Sequence, residues 1–253
     1  MEKVTTILTG YKRPEYFIEQ FNAVKNQQDV DSSSIIYIEN TIPGVQYYDP
    51  IHTFNNIVAV KNNINQGVWF RFAVALTART DWVCVLDDDT IPGPKWYKNC
   101  LEHQKTHFGL HGTIGVIIPE NGQYHNVHRV GWDNPNSEIK QVDFVGQNWW
   151  FHRDILSYFW REIPPIDHNL TTGEDMNFSA MLQKYSEYKT WVPPHPKECP
   201  EMWGSLKGWA YGDDGKATAS TSMHLMQKDL DRYVSGGFRL MMSGDRHNNQ
   251  SIL

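Results

Sequence analysis

The sequence predicts an α/β fold with a doubly wound, mostly parallel central sheet, on three observations. Short apolar runs rich in β-branched residues alternate with segments whose apolar residues recur at helical spacing. In the first third of the chain the order is strand, helix, strand, strand, helix, strand, which is typical of a parallel sheet with helices on both faces. Polar turns follow several strands, and open sheets of this kind bind ligands at that edge. We therefore expect the functional site where the strands end.

The first three strands are predicted near the N-terminus. Residues 4–8 form the first strand, and the turn at 9–14 contains two positive charges and a proline suited to the first turn of a helix. A polar loop at 29–34 precedes a second, buried strand at 35–38, and a shorter third strand is expected at 56–60. The turn at 9–14 therefore brings positive charge to the predicted ligand-binding edge.

The fourth strand leads directly into the most informative motif of the chain. An apolar run at 82–86 is followed by Asp87, Asp88 and Asp89, and the proline-rich and glycine-containing segment 91–94 ends the element. Three adjacent carboxylates repel one another, and desolvation increases that repulsion. A divalent cation that also holds a diphosphate would relieve it, because carboxylate and phosphate oxygens are the usual ligands of Mg²⁺ and Mn²⁺. A solvated acidic turn is the alternative interpretation.

The second half of the chain is less regular, and secondary structure after Lys197 is hardest to assign. Glu174 and Asp175 precede a predicted helix, whose dipole favours an ionised carboxylate able to act as a base. A threonine three residues before an acid is also a helix-capping pattern, so capping is the alternative role for this pair. Helices are predicted at 68–78, 96–107, 154–160 and 176–185, and strands at 115–118, 141–145 and 190–192.

Composition narrows the classes of function. The chain has 253 residues, which suits one large α/β domain or two small ones. Its net charge of −6 argues against a broad nucleic-acid-binding surface but leaves room for a local basic groove. Three cysteines, an odd number, fit a reducing compartment better than a disulfide framework. The sequence shows no signal-like leader and no apolar run of transmembrane length, so a cytoplasmic location is expected.

The motifs together resemble the GT-A-fold nucleotide-sugar glycosyltransferases, especially the family-2-like branch. The resemblance covers about residues 4–192 and implies one domain over 1–253. Its first half, to about 115, would bind the nucleotide sugar, and an irregular second half, about 116–253, would bind the acceptor. The matching segments, in the family's order, are 9–14, Glu39 with Asn40, 65–71, 86–89 and 173–175.

The resemblance also implies the reaction and the roles of individual residues. A sugar would pass from a nucleoside-diphosphate sugar, UDP-sugar favoured, to an acceptor hydroxyl with inversion and with Mn²⁺ or Mg²⁺. Asp175 would be the base because the family's base is usually the second acid of its pair, here Glu174 and Asp175. The acceptor could be a glycan, a protein, a lipid-linked sugar or a modified nucleobase. The residues expected to bind the nucleotide sugar are Thr9, Tyr11, Arg13, Glu39, Asn65, Arg71, Asp87 and Asp88.

The resemblance implies a metal site as well. Asp89 would be the direct ligand, while Asp87 would face the ribose or a metal-bound water. The family often adds a histidine late in the chain, for which His195 and His224 are the candidates. Glu39 stands where many relatives carry aspartate, which leaves the choice of nucleobase open.

Two other classes of protein fit parts of the same pattern. A phosphoaspartate phosphatase would use Asp87 as the nucleophile and Asp89 as the general acid, with Asp213 and Asp214 as a late acidic motif. Its motif usually lies on the first strand of the domain, whereas two or three strands precede Asp87 here. A non-catalytic nucleotide-sugar-binding module is the second alternative, and the presence of both acidic motifs argues against it. A nucleotidyltransferase is disfavoured because no glycine-rich phosphate loop follows the first strand.

Overall fold

The computed structural model describes residues 1–47, 57–164, 170–206 and 222–243. Within these ranges one sheet has the strand order β3-β2-β1-β4-β8-β5-β9-β7, and β6 pairs with β5 beside it. The strands are β1 (Lys3–Gly10), β2 (Asp31–Asn40), β3 (Ile57–Asn62), β4 (Trp82–Leu86), β5 (Gly109–Ile117), β6 (His128–Gly131), β7 (Lys140–Gln141), β8 (Phe144–His152) and β9 (Lys189–Val192). The helices are α1 (Phe17–Lys25), α2 (Phe70–Ala75), α3 (Trp96–Gln104), α4 (Leu156–Phe159), α5 (Glu174–Tyr185) and α6 (Met223–Ser235).

The N-terminal half of the sheet is parallel. Strands β3, β2, β1 and β4 run in the same direction, and β1 lies between β2 and β4. Leu8 pairs with Leu86, so the turn after β1 and the acidic triplet after β4 leave the sheet side by side. The C-terminal half is mixed, because β8 runs antiparallel to both β4 and β5. The predicted doubly wound, mostly parallel fold is confirmed.

Side chains from the two faces of the sheet form two core layers. In β4, Val83 and Val85 pack with α2 and α5 on one face, whereas Cys84 and Leu86 pack with α1 and α3 on the other. This alternation is the period-two pattern of a strand buried on both faces. The aromatic run at 149–151 belongs to β8 and contributes to both layers. Burial on both faces fixes the register of β4 and hence the position of the triplet.

Several segments differ from the sequence-based expectation, and the predicted strand at 141–145 is divided between β7 and β8. The polar residues 31–34 lie in β2 instead of a loop, because Lys3 and Thr5 of β1 pair with Asp31 and Ser34. Helix α6 lies in the region whose structure was hardest to assign, and Met226 and Leu230 pack with α5 and β5 in a third apolar cluster. No helix in the described ranges is both long and apolar enough to cross a bilayer.

Candidate active site

A cavity of about 370 Å³ opens at the edge of the sheet where the parallel strands end. Its volume falls in the range of small-molecule sites. Residues from the turns after β1 and β4 line one part, and the start of α5 and the first turn of α6 line another. The sequence-predicted residues that line it are Thr9, Tyr11, Arg13, Asn65, Arg71, Asp87, Asp88, Asp89, Glu174 and Asp175.

The turn after β1 is fastened to the acidic triplet. Arg13 Nη1 donates to Asp88 Oδ1 at 2.8 Å, and the backbone N–H of Lys12 donates to Asp88 Oδ2 at the same distance. The Arg13 guanidinium also lies 3.4 Å from Asp89 Oδ2. Asp88 therefore holds the two turns together.

Asp89 is a buried carboxyl that lies beside two other carboxylates. Burial, followed by the nearby carboxylates of Asp87 and Asp88, raises the pKa of Asp89 to about 8. No group of three or more histidine, cysteine or acidic side chains in the described ranges is arranged as a complete metal site. Mg²⁺-type ions in nucleotide sites are held by one or two carboxylates plus phosphate oxygens, so Asp87 and Asp89 fit such an ion once a diphosphate is bound.

Arg71 connects the acidic triplet to the acidic pair on α5. Its buried guanidinium pairs with the carboxylate of Asp87 and lies 2.6 Å from Glu174 Oε1. It also stacks on the ring of Trp149, with 4.2 Å to the ring centroid. Burial lowers the pKa of Arg71, but the Asp87 and Glu174 carboxylates outweigh that effect and raise it overall. Glu174 is therefore committed to an ion pair, whereas Asp175 forms none in the described part of the chain.

Asp175 is buried at the first turn of α5. Its Oδ1 accepts a hydrogen bond from the backbone N–H of Met176 at 2.7 Å. Burial, and next the carboxylate of Glu174, raises the pKa of Asp175 well above the ordinary aspartate value. Loss of water on burial opposes the effect of the helix dipole on this carboxylate and raises its pKa. A raised pKa makes the ionised form a stronger base.

The threonines before the acidic pair do not cap α5. The N-cap of α5 is Gly173, which has a φ of 83° and no side chain, so the reciprocal pattern of a capping box does not form. Thr172 Oγ1 instead donates to Asp229 Oδ2 on α6 at 2.6 Å. The indole N–H of Trp69 donates to the Thr172 carbonyl at 2.9 Å. Asp229 and Trp69 thus both hold the loop that precedes Glu174 and Asp175.

Gly173 should tolerate no side chain, because its backbone is left-handed and a Cβ would lie 2.6 Å from Asp229 Oδ2. Gly173→Ala should therefore lower the free energy of unfolding by about 1–3 kcal/mol. Gly44 is a matched control: it has the same φ of 83°, and no atom of the described residues lies within 4 Å of the position that a Cβ would take there. Urea unfolding of Gly173→Ala and Gly44→Ala should give a larger loss for the former. Equal losses would mean that Asp229 does not constrain the loop.

Glu39, a sequence-predicted site residue, does not line the cavity. Side chains alternate along β2, so Ile38 and Asn40 reach the cavity while Glu39 does not line it. The Glu39 side chain accepts a hydrogen bond from Thr41 Oγ1 at 3.2 Å and lies 4.0 Å from Lys61 Nζ. Asn40 is the polar side chain that the structure offers in its place.

Neither candidate histidine reaches the acidic triplet. His195 is fully buried and contacts Thr113 Oγ1 and the Pro193 carbonyl, both at 2.8 Å. Burial lowers the pKa of His195 to about 4, and its hydrogen bonds identify it as a core residue. His224 is exposed on the first turn of α6 and is not part of the cavity wall. The structure therefore brings neither residue to Asp87 and Asp89.

Several cavity residues were not predicted from the sequence. Trp149 lies under Arg71, Arg129 of β6 borders the cavity, and Gln147 lies beside the triplet. Asp229 acts from α6 on the loop before α5. An aromatic residue after a predicted strand was the only available signal for Trp149, and packing was the default interpretation. Asp213 and Asp214, the late acids of the phosphatase alternative, lie outside the described residues.

Comparisons with known proteins agree with this fold. The chain resembles residues 1–349 of S. aureus TarS, with a TM-score of 0.51 and 13% identity, covering 77% of this chain and 58% of that one. A longer S. aureus TarS structure gives a TM-score of 0.51 at 14% identity, covering 77% and 35%. A mannosyltransferase from Pyrobaculum calidifontis, solved with GDP-Man and Mn²⁺, gives 0.48 at 14% identity, covering 77% and 57%.

These similarities are to parts of longer proteins, since the chain spans less than two thirds of each of these three structures. At such identities the two TarS structures support the GT-A fold alone. No curated protein sequence matches the chain significantly. The model for "Glycosyl transferase family 2" matches residues 7–163, which is more than half of the chain and includes the acidic triplet. The chain belongs to glycosyl transferase family 2.

Proposed function

We propose that this chain transfers a sugar from a nucleoside-diphosphate sugar to an acceptor hydroxyl, with Asp175 as the base and with inversion at the anomeric carbon. UDP sugars are the first donors to test. The observation that carries the proposal is the shared cavity. Asp87 and Asp89 follow β4, Glu174 and Asp175 begin α5, and all four side chains line the same cavity. Inverting transfer needs this pairing of a diphosphate-binding group with a separate base.

The residues of the donor end suit a nucleotide diphosphate. Thr9, Tyr11, Asn40 and Asn65 line the cavity near the ends of β1 and β2 and offer hydroxyl and amide groups. Asp87 and Asp89 would hold Mn²⁺ or Mg²⁺ against the diphosphate. Bound there, such an ion supplies Lewis-acid stabilisation of the charge that collects on the leaving diphosphate. A bound cation would favour the ionised form of Asp89, whose pKa burial otherwise raises.

The acids on α5 have separate roles in this proposal. Glu174 remains paired with Arg71 and keeps that guanidinium between the two acidic motifs. Asp175 accepts the proton of the acceptor hydroxyl as its oxygen attacks the anomeric carbon and the bond to the diphosphate breaks. Because Asp175 forms no ion pair in the described ranges, its basicity is not reduced by a neighbouring cation at hydrogen-bond distance. Arg129, Tyr124 and Met226 line the remaining wall, where the acceptor would lie.

The function can be tested with a panel of UDP- and GDP-sugars in the presence of Mn²⁺ or Mg²⁺. Release of free UDP or GDP from one donor, abolished by EDTA, is the expected result. Para-nitrophenyl phosphate in the same assay tests the phosphatase alternative, for which Asp87 would have to leave its pair with Arg71 to act as a nucleophile. Metal-dependent hydrolysis of that ester without turnover of any nucleotide sugar would overturn the proposal.

A further inference from the structure

Gln147 has an unusual backbone conformation for its residue type. Its φ is 64°, in the left-handed region, and only one other non-glycine residue in the described ranges has a positive φ. This conformation is unfavourable for a residue with a Cβ and is usually assigned to glycine. Residues held in such conformations cluster at functional sites, where the surrounding structure enforces them.

A β-bulge explains how the chain enforces this conformation. Gly112 pairs with Trp149 and Ile114 pairs with Gly146, so one residue of β5 faces two residues of β8, Gln147 and Asn148. The Gln147 carbonyl then accepts hydrogen bonds from the backbone N–H of Asp87 at 2.9 Å and from Thr90 Oγ1 at 3.0 Å. The bulge thus ties β8 to the acidic triplet. Bulges next to active sites commonly redirect a side chain.

The side chain at this bulge is buried but unsatisfied. Gln147 is only 4% exposed and lines the cavity, and neither Oε1 nor Nε2 has a hydrogen-bond partner in the described part of the chain. An amide buried without partners loses its hydrogen bonds to water and gains none in return, which is unfavourable. Glycine at this position would adopt the left-handed conformation of the bulge without burying an unsatisfied amide. The structure therefore maintains a costly amide at a position whose backbone favours glycine, which indicates a ligand for the amide.

The chemistry of the amide narrows the ligand. An amide presents a donor and an acceptor together. A phosphate accepts only and would leave Oε1 unpaired, and a metal ion would engage Oε1 and leave Nε2 unpaired. Sugar hydroxyls both donate and accept, so a pair of them can satisfy both atoms. Among the groups of the proposed reaction, a sugar is the best match.

The place of Gln147 in the fold indicates which sugar of the proposed reaction its amide would bind. The Gln147 carbonyl is bonded to the backbone of Asp87, where the diphosphate is expected, and Trp149 two residues further on supports Arg71, which contacts Glu174. Gln147 lines the same cavity as the acidic triplet and the acidic pair on α5, and its backbone is joined to the first of these. In the proposed function, the sugar being transferred lies between these two acidic motifs.

We propose that the Gln147 amide binds hydroxyl groups of the transferred sugar and thereby determines which donor the enzyme accepts. The inference rests on the proposed function. It concerns a residue of this chain whose role follows from its bulge and its unsatisfied amide.

The test compares the affinity for a nucleotide sugar with that for its nucleoside diphosphate. Dissociation constants for UDP-glucose, UDP-N-acetylglucosamine and GDP-mannose, and for UDP and GDP, are measured with Mn²⁺ by calorimetry. Gln147→Met keeps the size of the side chain, and Gln147→Gly keeps the bulge. For the donor that wild type binds, both variants should lose roughly 10-fold or more in affinity, as expected for two lost hydrogen bonds, while the affinity for the free diphosphate stays unchanged. Gln28→Met, at an exposed glutamine of the loop after α1, is the matched control and should behave as wild type.

The outcomes separate this inference from the proposed function. If wild type binds a nucleotide sugar and both variants retain its affinity, the role of Gln147 is wrong and the proposed function stands. Equal losses for the diphosphate and the nucleotide sugar would place the amide on the diphosphate, and a defect only in the acceptor KM would place it on the acceptor; both overturn the inference. Failure of both variants to fold would make Gln147 structural. If wild type binds none of these nucleotides, the proposed function fails, and this inference with it.

Discussion

Asp175→Asn should lower turnover by roughly 10²–10⁴-fold, the range for loss of a general base, while leaving donor affinity nearly unchanged. Asparagine has the size of aspartate, and its Oδ1 can accept the bond from Met176 N–H as Asp175 does. Only the basicity is removed. Asp154→Asn, at an exposed aspartate before α4, is the control and should retain wild-type turnover.

Stability should separate a catalytic role from a structural one. The pKa of Asp175 is raised in the folded protein, so the folded state binds this proton more tightly than the unfolded chain. Ionised Asp175 therefore reduces stability as the pH rises above the ordinary aspartate pKa. A neutral asparagine avoids that loss, and the variant should be as stable as wild type at neutral pH or more so. A variant that unfolds, or that keeps near-wild-type turnover, would contradict the assignment of the base.

The pH dependence of kcat/KM is an independent test of the role of Asp175. Only ionised Asp175 can accept a proton, so kcat/KM should rise with pH through the raised pKa of the free enzyme. The acid limb should lie well above pH 4, and it should disappear in the residual activity of Asp175→Asn. An acid limb at the ordinary aspartate value, unchanged by the substitution, would assign it to another group.

The second large effect is expected at Asp89. Asp89→Asn should lower turnover by at least roughly 10²-fold, because the Lewis-acid contribution of a bound ion amounts to several kcal/mol. Burial and its acidic neighbours raise the pKa of Asp89 to about 8, which favours the protonated form before a cation binds. Asparagine resembles protonated aspartate, so the Asp89→Asn variant should keep the fold. Mn²⁺ alone should raise the Tm of wild type but not of Asp89→Asn.

Asp88→Asn is the contrasting variant for this experiment. Asp88 accepts from Arg13 and from the Lys12 backbone, so its loss removes a buried charge from the contact between the two turns. It should lower stability more than Asp89→Asn does and should keep part of the Mn²⁺-dependent rise in Tm. The opposite ranking would mean that Asp88, and not Asp89, is the metal ligand.

Local signals explain which parts of the site could be predicted. The triplet and the turn after β1 follow buried parallel strands, and the strand-end rule places both at one edge regardless of register. Whether Glu39 or Asn40 faces the cavity depends on which face of β2 each residue occupies. A shift of one residue along β2 exchanges the two faces of the strand, and the sequence alone does not show that Asn40 is the inward residue.

The remaining residues depend on contacts between distant segments. The conformation of Gln147 follows from the register of β5 against β8, which no periodicity in either strand reveals. Asp229 reaches the loop before α5 from a helix that begins more than 45 residues after Asp175 in sequence, in a region with weak patterning. The raised pKa of Asp175 follows from burial by tertiary packing, which local sequence patterns do not show. The sequence shows the chemical character of these residues, but it does not show which distant residues they contact.

Calorimetric titration of UDP and GDP, with and without Mn²⁺, tests the central claim most directly, because it measures whether the acidic triplet holds a nucleoside diphosphate through a cation. Wild type should bind one of the two nucleotides at least roughly 10-fold more tightly with Mn²⁺, a difference of about 1.4 kcal/mol, and Asp89→Asn should lose that gain. Equal affinities with and without the metal, in wild type and in Asp89→Asn alike, would contradict the account.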